Sequence, residues 1–168
     1  MNASARAPLD AGALLEQLVV ARVEFVVIGG IAAVLHGSAQ ATFDLDVCYA
    51  TNPGNLETLG QVLLNLHARL KGVDEQLPFV PDARTLSQTE VLTMVTDAGE
   101  LDVLARPAGS QGYAALRSRA ERFDIGAVTV LVASVEDLIA MKRAAGRTKD
   151  LAAAEELQAI QRLRQAGG

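Results

Sequence analysis

Apolar residues recur along this chain at two spacings, and the places where one gives way to the other mark its elements. Leu14, Leu15, Leu18 and Val19 repeat at helical spacing behind Asp10, which stands where an N-cap would, and predict an amphipathic helix over 10–22. Phe25 to Ile28 is a short apolar run that predicts a buried strand. It stops at Gly29-Gly30, and Ile31 to His36 reads as a helix closed by Gly37. From Phe43 to Tyr49 the period becomes two. Phe43, Leu45 and Val47 take one face of a second strand, and Asp44, Asp46 and Cys48 take the other. Pro53 then opens a helix whose apolar stripe is Leu56, Leu59, Val62, Leu63, Leu66 and Leu70.

Residues 72–89 carry two prolines and several polar side chains and read as a loop with a short strand around Phe79. Val91 to Thr96 and Leu101 to Leu104 are strands joined through Asp97-Ala98-Gly99, a hairpin turn. A short helix over Tyr113 to Arg119 follows, then strands Arg122 to Ile125 and Val128 to Val132, paired across Gly126. Ser134 and Asp137 resemble a capping box that opens a helix running to about Ala145, where Gly146 breaks it. The last helix covers Thr148 to Arg164, with Leu151, Ala154, Leu157, Ile160 and Leu163 as its expected buried side. No repeat, low-complexity tract or linker divides the chain. It is expected to form one unit over 1–168, with a core over 10–132 and C-terminal helices over 134–164.

Composition narrows the chemistry. With 50% hydrophobic residues, 4% aromatics and no Trp, the core must be built of Leu, Val, Ile and Ala, and stacking platforms for single-stranded nucleic acid are not expected. The single cysteine, Cys48, excludes an internal disulfide and a Cys-rich zinc site and suits a reducing compartment. Residues 1–13 hold no apolar run of signal-peptide length, and no stretch approaches the ~18 uninterrupted apolar residues of a membrane span. A cytoplasmic protein with no membrane partner is the expectation. A net charge of −5 argues against indiscriminate binding to nucleic acid, although from Met141 onward six basic residues (Lys142, Arg143, Arg147, Lys149, Arg162, Arg164) outnumber three acidic ones (Asp150, Glu155, Glu156).

Two Asp side chains at i and i+2 of a strand point the same way and can converge on one cation, as a metal-bound triphosphate requires. At about 5 Å and an effective dielectric of about 20 they repel by roughly 3 kcal/mol, which a cation would offset. The spacing equally suits two acids in water on an edge strand. Gly29-Gly30, fourteen residues upstream of Asp44, lies at a strand-to-helix junction where backbone can approach a phosphate closely, but it also suits a plain tight turn. Asp102, among Leu101, Val103 and Leu104, is either a third carboxylate beside the same cation, as ligand or general base, or a solvent-facing acid on the hairpin edge. Lys142, Arg147 and Asp150 suit a phosphate contact, and suit equally the dipoles of an ordinary helix junction. His36 reads as a cap or packing residue, His67 as a surface residue of the Leu-rich helix, and Cys48 as a small buried side chain.

Taken together, VIGGIAAVLHGSAQATFDLDV over residues 27–47 resembles the nucleotidyltransferase superfamily of the polymerase-beta type, in which a Gly-Gly or Gly-Ser turn precedes an Asp-x-Asp strand. The segment DLIAMKRAAGRTKDLAAAEEL resembles the Lys-x-x-Ala-x-Arg-x-x-Asp junction of small bacterial AbiEii-like and MNT-like members. The resemblance implies an α/β fold (α+β), a small mixed sheet flanked by helices with a C-terminal helical segment and the site at one edge. It makes Gly29 and Gly30 the triphosphate turn, Asp44 and Asp46 the ligands of Mg2+ or Mn2+, and Asp102 the third acid and metal ligand. Lys142, with Arg147 and Asp150, would contact the nucleotide, and Lys149 is an approximate further match. Where relatives often carry an Arg ahead of the Thr that leads into the acidic strand, this chain has Gln40 and Ala41 before Thr42.

The implied function is transfer of a nucleoside monophosphate from an NTP such as ATP to an acceptor hydroxyl on tRNA, another RNA, a protein or a small molecule. Short bacterial relatives sit most often in toxin–antitoxin or defence systems. Lacking a long C-terminal domain, the chain is expected to rely on a partner protein or a homo-oligomer to recognise its acceptor. Two rivals stay open on sequence: a silent nucleotide-binding, antitoxin-like regulator, and a purely structural α/β interaction domain.

Overall fold

The computed structural model describes residues 7–73 and 79–168. In chain order the elements are α1 (Ala11–Val20), β1 (Phe25–Ile28), α2 (Gly29–Leu35), β2 (Asp44–Tyr49), α3 (Pro53–Asn65), β3 (Arg69–Leu70), α4 (Ala83–Gln88), β4 (Val91–Thr96), β5 (Gly99–Leu104), α5 (Tyr113–Arg119), β6 (Glu121–Ile125), β7 (Val128–Val132), α6 (Val135–Ala145) and α7 (Thr148–Ala166). All strands join one mixed sheet in the order β3-β4-β5-β2-β1-β7-β6. The expected α/β architecture is therefore present, with the acidic strand β2 in the middle of the sheet and not at an edge. Its neighbours are β1, antiparallel, and β5, parallel.

Local chemistry sets most boundaries. Asp10 caps α1 through the Ala13 N–H, Asn52 caps α3 through Asn55, and Ser134 caps α6 through Asp137. Gly146, at φ +71°, ends α6 in the left-handed conformation that an L side chain resists. Leu14, Leu15, Leu18, Leu45, Val47, Leu59, Leu63, Met94, Leu101 and Val103 are fully buried and fill the layer between the sheet and α1, α3 and α4.

Four expectations give way to longer-range forces. The Leu-rich helix stops at Asn65, so Leu70 leaves its stripe and pairs with Met94 of β4, taking the short edge strand β3 with it. The loop expected over 72–89 falls partly outside the described residues, at 74–78. Phe79 lies in no strand, and the polar segment after it folds as α4, capped by Asp82 on the Thr85 N–H. That helix has a single buried residue, Leu86, too few for an apolar periodicity. Phe43 lies just outside β2 and is 79% exposed, so it does not share the buried face with Leu45 and Val47. On α7, Asp150, Ala153, Ala154 and Leu157 face inward while Leu151 and Leu163 are exposed, because the helix packs chiefly against α6 along a narrow stripe.

The remaining side chains follow expectation. His36 is buried, with Nε2 2.8 Å from the Ala133 carbonyl and Nδ1 3.0 Å from Arg164, and packs edge-on against Phe123. It thus ties the end of α2 to α7 and to the start of α6. His67 is exposed beside Asp97, but just past the end of α3 and not on that helix. Cys48 is buried, and burial pushes its thiol up to about 12, far from nucleophilic use. No helix among the described residues is long and apolar enough to cross a membrane.

Candidate active site

Strand pairing assembles the site from three segments far apart in sequence. The antiparallel β1–β2 ladder sets Ile28 opposite Asp46, which brings the Gly29-Gly30 turn directly beside that acid. The parallel β2–β5 ladder sets Asp44 opposite Glu100 and Asp46 opposite Asp102, so all four acids point from one face of the sheet. Carboxylate oxygens of Asp44, Asp46 and Asp102 all lie within 4.8 Å of one another. β2 and β5 each have neighbours on both sides, so the acids are not on a sheet edge.

The two glycines are where they are for lack of room. A Cβ on residue 29, whose φ is +69°, would stand 2.1 Å from Oδ2 of Asp46, and a Cβ on Gly30 would stand 2.5 Å from Oγ1 of Thr42. Thr42 in turn donates from Oγ1 to the Asp44 carbonyl at 3.3 Å. The turn and the acidic strand therefore interlock, and neither can shift without the other.

Cations reach the acids from two sides. The Ala133 N–H bonds the Val27 carbonyl at 2.9 Å, so the chain leaves β7 alongside β1 and enters α6, whose last turn carries Lys142. Asp150 of α7 is 1% exposed and accepts from Arg147 Nε at 2.6 Å, with Lys142 Nζ 3.6 Å away. The Arg147 hydrogen bond holds the Asp150 carboxyl below its usual range. Asp150 thus sits behind the two cations and holds them, and does not open on the cleft as a bare charge. On the far side Lys71 pairs with Glu100 at 2.9 Å.

Electrostatics mark the acid cluster as built for positive charge. Burial, reinforced by Asp44 and Asp102, pushes Asp46 up to about 8, against the pull of Lys142, and burial also raises Asp102. Oδ1 of Asp102 is buried with no hydrogen-bond partner among the described residues. Three crowded carboxylates with an unsatisfied inward oxygen and no nitrogen or sulfur donor among them fit a hard divalent cation such as Mg2+ or Mn2+.

Two clefts meet at this cluster. One, of about 480 Å³, is polar and runs from Gly30 past Asp44, Asp46 and Asp102 to Lys71, Lys142, Arg147 and Lys149. The other, of about 260 Å³, shares Asp46, Asp102, Lys142, Arg147 and Asp150 but is otherwise walled by Gly29 and apolar side chains that include Leu104, Leu138 and Met141. A larger cleft of about 640 Å³ at the other end of β2 and β5, by Tyr49 and Tyr113, contains none of the sequence-predicted residues.

Every residue singled out from the sequence, namely Gly29, Gly30, Asp44, Asp46, Asp102, Lys142, Arg147, Asp150 and Lys149, borders one or both clefts at the acids. Sequence reasoning missed Lys71 and Glu100. Glu100 was legible as the residue two before Asp102 on the same strand face, whereas Lys71 depends on the β3–β4 pairing and left no local signal. It also missed Glu156, which accepts from the Ser38 hydroxyl and the Ala39 N–H and so anchors to α7 the loop that leads into Asp44.

The antibiotic-resistance factor ANT(2'')-Ia superimposes with a TM-score of 0.52 at 17% identity, over 93% of this chain and 93% of that one, a likeness that speaks to the fold. No curated protein matches the chain in sequence. Residues 10–164 match the family described as "Nucleotidyltransferase of unknown function (DUF6036)", and the chain belongs to that family. It is a nucleotidyltransferase by family, with a cluster of three carboxylates at the heart of the fold.

Proposed function

We propose that the chain transfers a nucleoside monophosphate from an NTP to an acceptor hydroxyl, with Asp44, Asp46 and Asp102 as the carboxylates that hold Mg2+ or Mn2+. The observation that carries this reading is the convergence of those three acids beside a glycine turn too tight for any side chain. The cation supplies neutralisation of charge on the phosphates during transfer. The residues of the chain do the rest. Gly29 and Gly30 let phosphate approach the backbone, and Lys142 and Arg147, steadied by Asp150, face the triphosphate, with Lys149 beside them. Asp102, with its unpartnered oxygen, takes the proton of the acceptor hydroxyl as the new O–P bond forms and the bond to pyrophosphate breaks.

On this reading residues 10–164 work as one unit, in the cytoplasm, and a partner protein or a second copy supplies acceptor recognition. A toxin–antitoxin or defence setting is the biological context proposed, and tRNA, protein and small molecules are the acceptor classes to try. The test incubates wild type, Asp44→Ala and Asp46→Ala with each α-labelled NTP, magnesium, and separate pools of tRNA, total protein and small molecules. Label moved by the wild type alone supports transfer and names the acceptor class. Label moved equally by both variants sinks the mechanism, and nucleotide binding without label in any pool favours a silent regulator.

A further inference from the structure

Phe43 is out of place for a core residue. It directly precedes Asp44, its Cα about 3.8 Å from that of the first acid, yet it is 79% exposed and borders the polar cleft. It is the one aromatic side chain among the described residues that line that cleft. The others are acids, amides, hydroxyls, small residues and the cations Lys71, Lys142, Arg147 and Lys149. Nor is its position loose. Thr42 is wedged against Gly30 and bonded to the Asp44 carbonyl, and the preceding loop is pinned to α7 through Glu156, so the ring is presented from fixed backbone.

We infer that Phe43 is a specificity-determining residue whose ring stacks on a nucleobase held at the mouth of the catalytic cleft. The inference rests on the nucleotide reading above and adds to it the group that recognises the base. A ligand that satisfies this cleft must carry anionic charge for the cations and acids-with-metal at its inner end, and a flat apolar face for the ring at its mouth. A nucleotide joins those two chemistries in one molecule. The cleft, at about 480 Å³, is within the range of small-molecule sites. A ring face grips any base without reading its edge, so the contact gives preference for a base over no base more than for one base over another. The overall scarcity of aromatics argues against a track of stacked bases, and a single ring implies a single base. That base belongs either to the NTP or to a nucleotide acceptor.

The test compares wild type, Phe43→Ala and Phe43→Trp by calorimetric titration, in magnesium, with three probes: the α,β-methylene analogue of ATP, tripolyphosphate, and a short oligoadenylate. Truncation of an exposed side chain leaves the fold intact. Loss of one base–aromatic stack lowers affinity by about tenfold. The expected result is that fall for the ATP analogue in Phe43→Ala, with tripolyphosphate binding unchanged and affinity restored in Phe43→Trp. Because the chain has no Trp, the new indole is also the sole tryptophan signal, and the ATP analogue should quench it where tripolyphosphate does not. A fall confined to the oligoadenylate supports the stack and assigns the base to the acceptor. Unchanged affinity for both base-containing probes, with tripolyphosphate still bound, overturns the inference and leaves the transferase reading standing. Wild type that binds none of the three overturns that reading, and this one with it.

Discussion

Gly29, one residue past the β1–β2 ladder, lies so close to Asp46 that a Cβ on residue 29 would stand 2.1 Å from Oδ2 of the acid. The contact couples the turn that would receive phosphate to the carboxylate that would receive the metal. Gly29→Ala must move one or the other, and it also forces an L side chain to φ +69°. We expect it to lose about 1–3 kcal/mol of stability by denaturant titration and to reduce magnesium-dependent nucleotide binding at least tenfold. An alanine variant that keeps wild-type binding would show that the interlock is irrelevant to the site.

The acid cluster predicts an unusual dependence of stability on pH. Asp46 titrates near the ordinary aspartate value of 3.8 when unfolded and is pushed up to about 8 by burial when folded without metal, so between those values the native state holds a proton that the unfolded state has released. Stability should therefore be greatest at the acid end of that window for this group, and fall as pH rises toward about 8. Metal demands the deprotonated form, so its affinity should climb across the same window. Melting curves from pH 5 to pH 9, with EDTA and with magnesium, check both slopes. A flat metal-free curve between pH 5 and pH 8 in wild type that matches Asp46→Asn would remove the basis for a crowded, proton-sharing pair.

Neutralising one acid should separate function from stability. At close to 5 Å, like carboxylates repel by roughly 3 kcal/mol at an effective dielectric of about 20. Asp46→Asn, measured above pH 8 without metal, should be more stable than wild type, by up to that amount, while transfer is abolished. Asp44→Asn should act in the same direction more weakly. Loss of stability in both would mean that the acids are part of the structural frame.

Asp150 is buried behind Lys142 and Arg147, and its removal frees both cations. Asp150→Asn should raise the KM for NTP about tenfold with a smaller effect on kcat, since the acids stay in place. Its carboxyl is depressed in the folded state, chiefly by the Arg147 hydrogen bond, so its stabilising contribution is present above the unfolded value of 3.8 and disappears as pH falls below it. Steady-state kinetics and an acid unfolding curve of the variant test the two halves. A fall in kcat with unchanged KM would place Asp150 in the chemistry itself.

Much of the molecule was legible from local pattern. Asp10 or Ser134 ahead of an apolar stripe, Pro53 at the start of one and Gly146 behind one act within a turn of helix, so α1, α3 and α6 begin and α6 ends where that local chemistry requires. The acids were legible because alternation with period two aligns Asp44 with Asp46 whatever the strand pairs with. Phe43 was misread by the same rule, since alternation says which face a residue takes but not where the covering layer ends. Leu70 was misread because an apolar residue at helical spacing also serves an edge strand once β4 is there to pair with it.

By itself the sequence determined the identity of most helices and strands, α4 and β3 excepted, the shared direction of Asp44 and Asp46, and the glycine turn, because each depends on forces that act over a few residues. Only the tertiary structure decided that β2 is central, that parallel pairing brings Asp102 to Asp46 and Glu100 to Asp44, and that Lys71 and Lys142 approach from opposite sides. The physical reason is that strand order and the docking of α6 and α7 follow from burying apolar faces of segments distant in the chain. Hydrophobic burial depends on area and carries no direction along the sequence, so which strands end up side by side was settled by the packing of the whole.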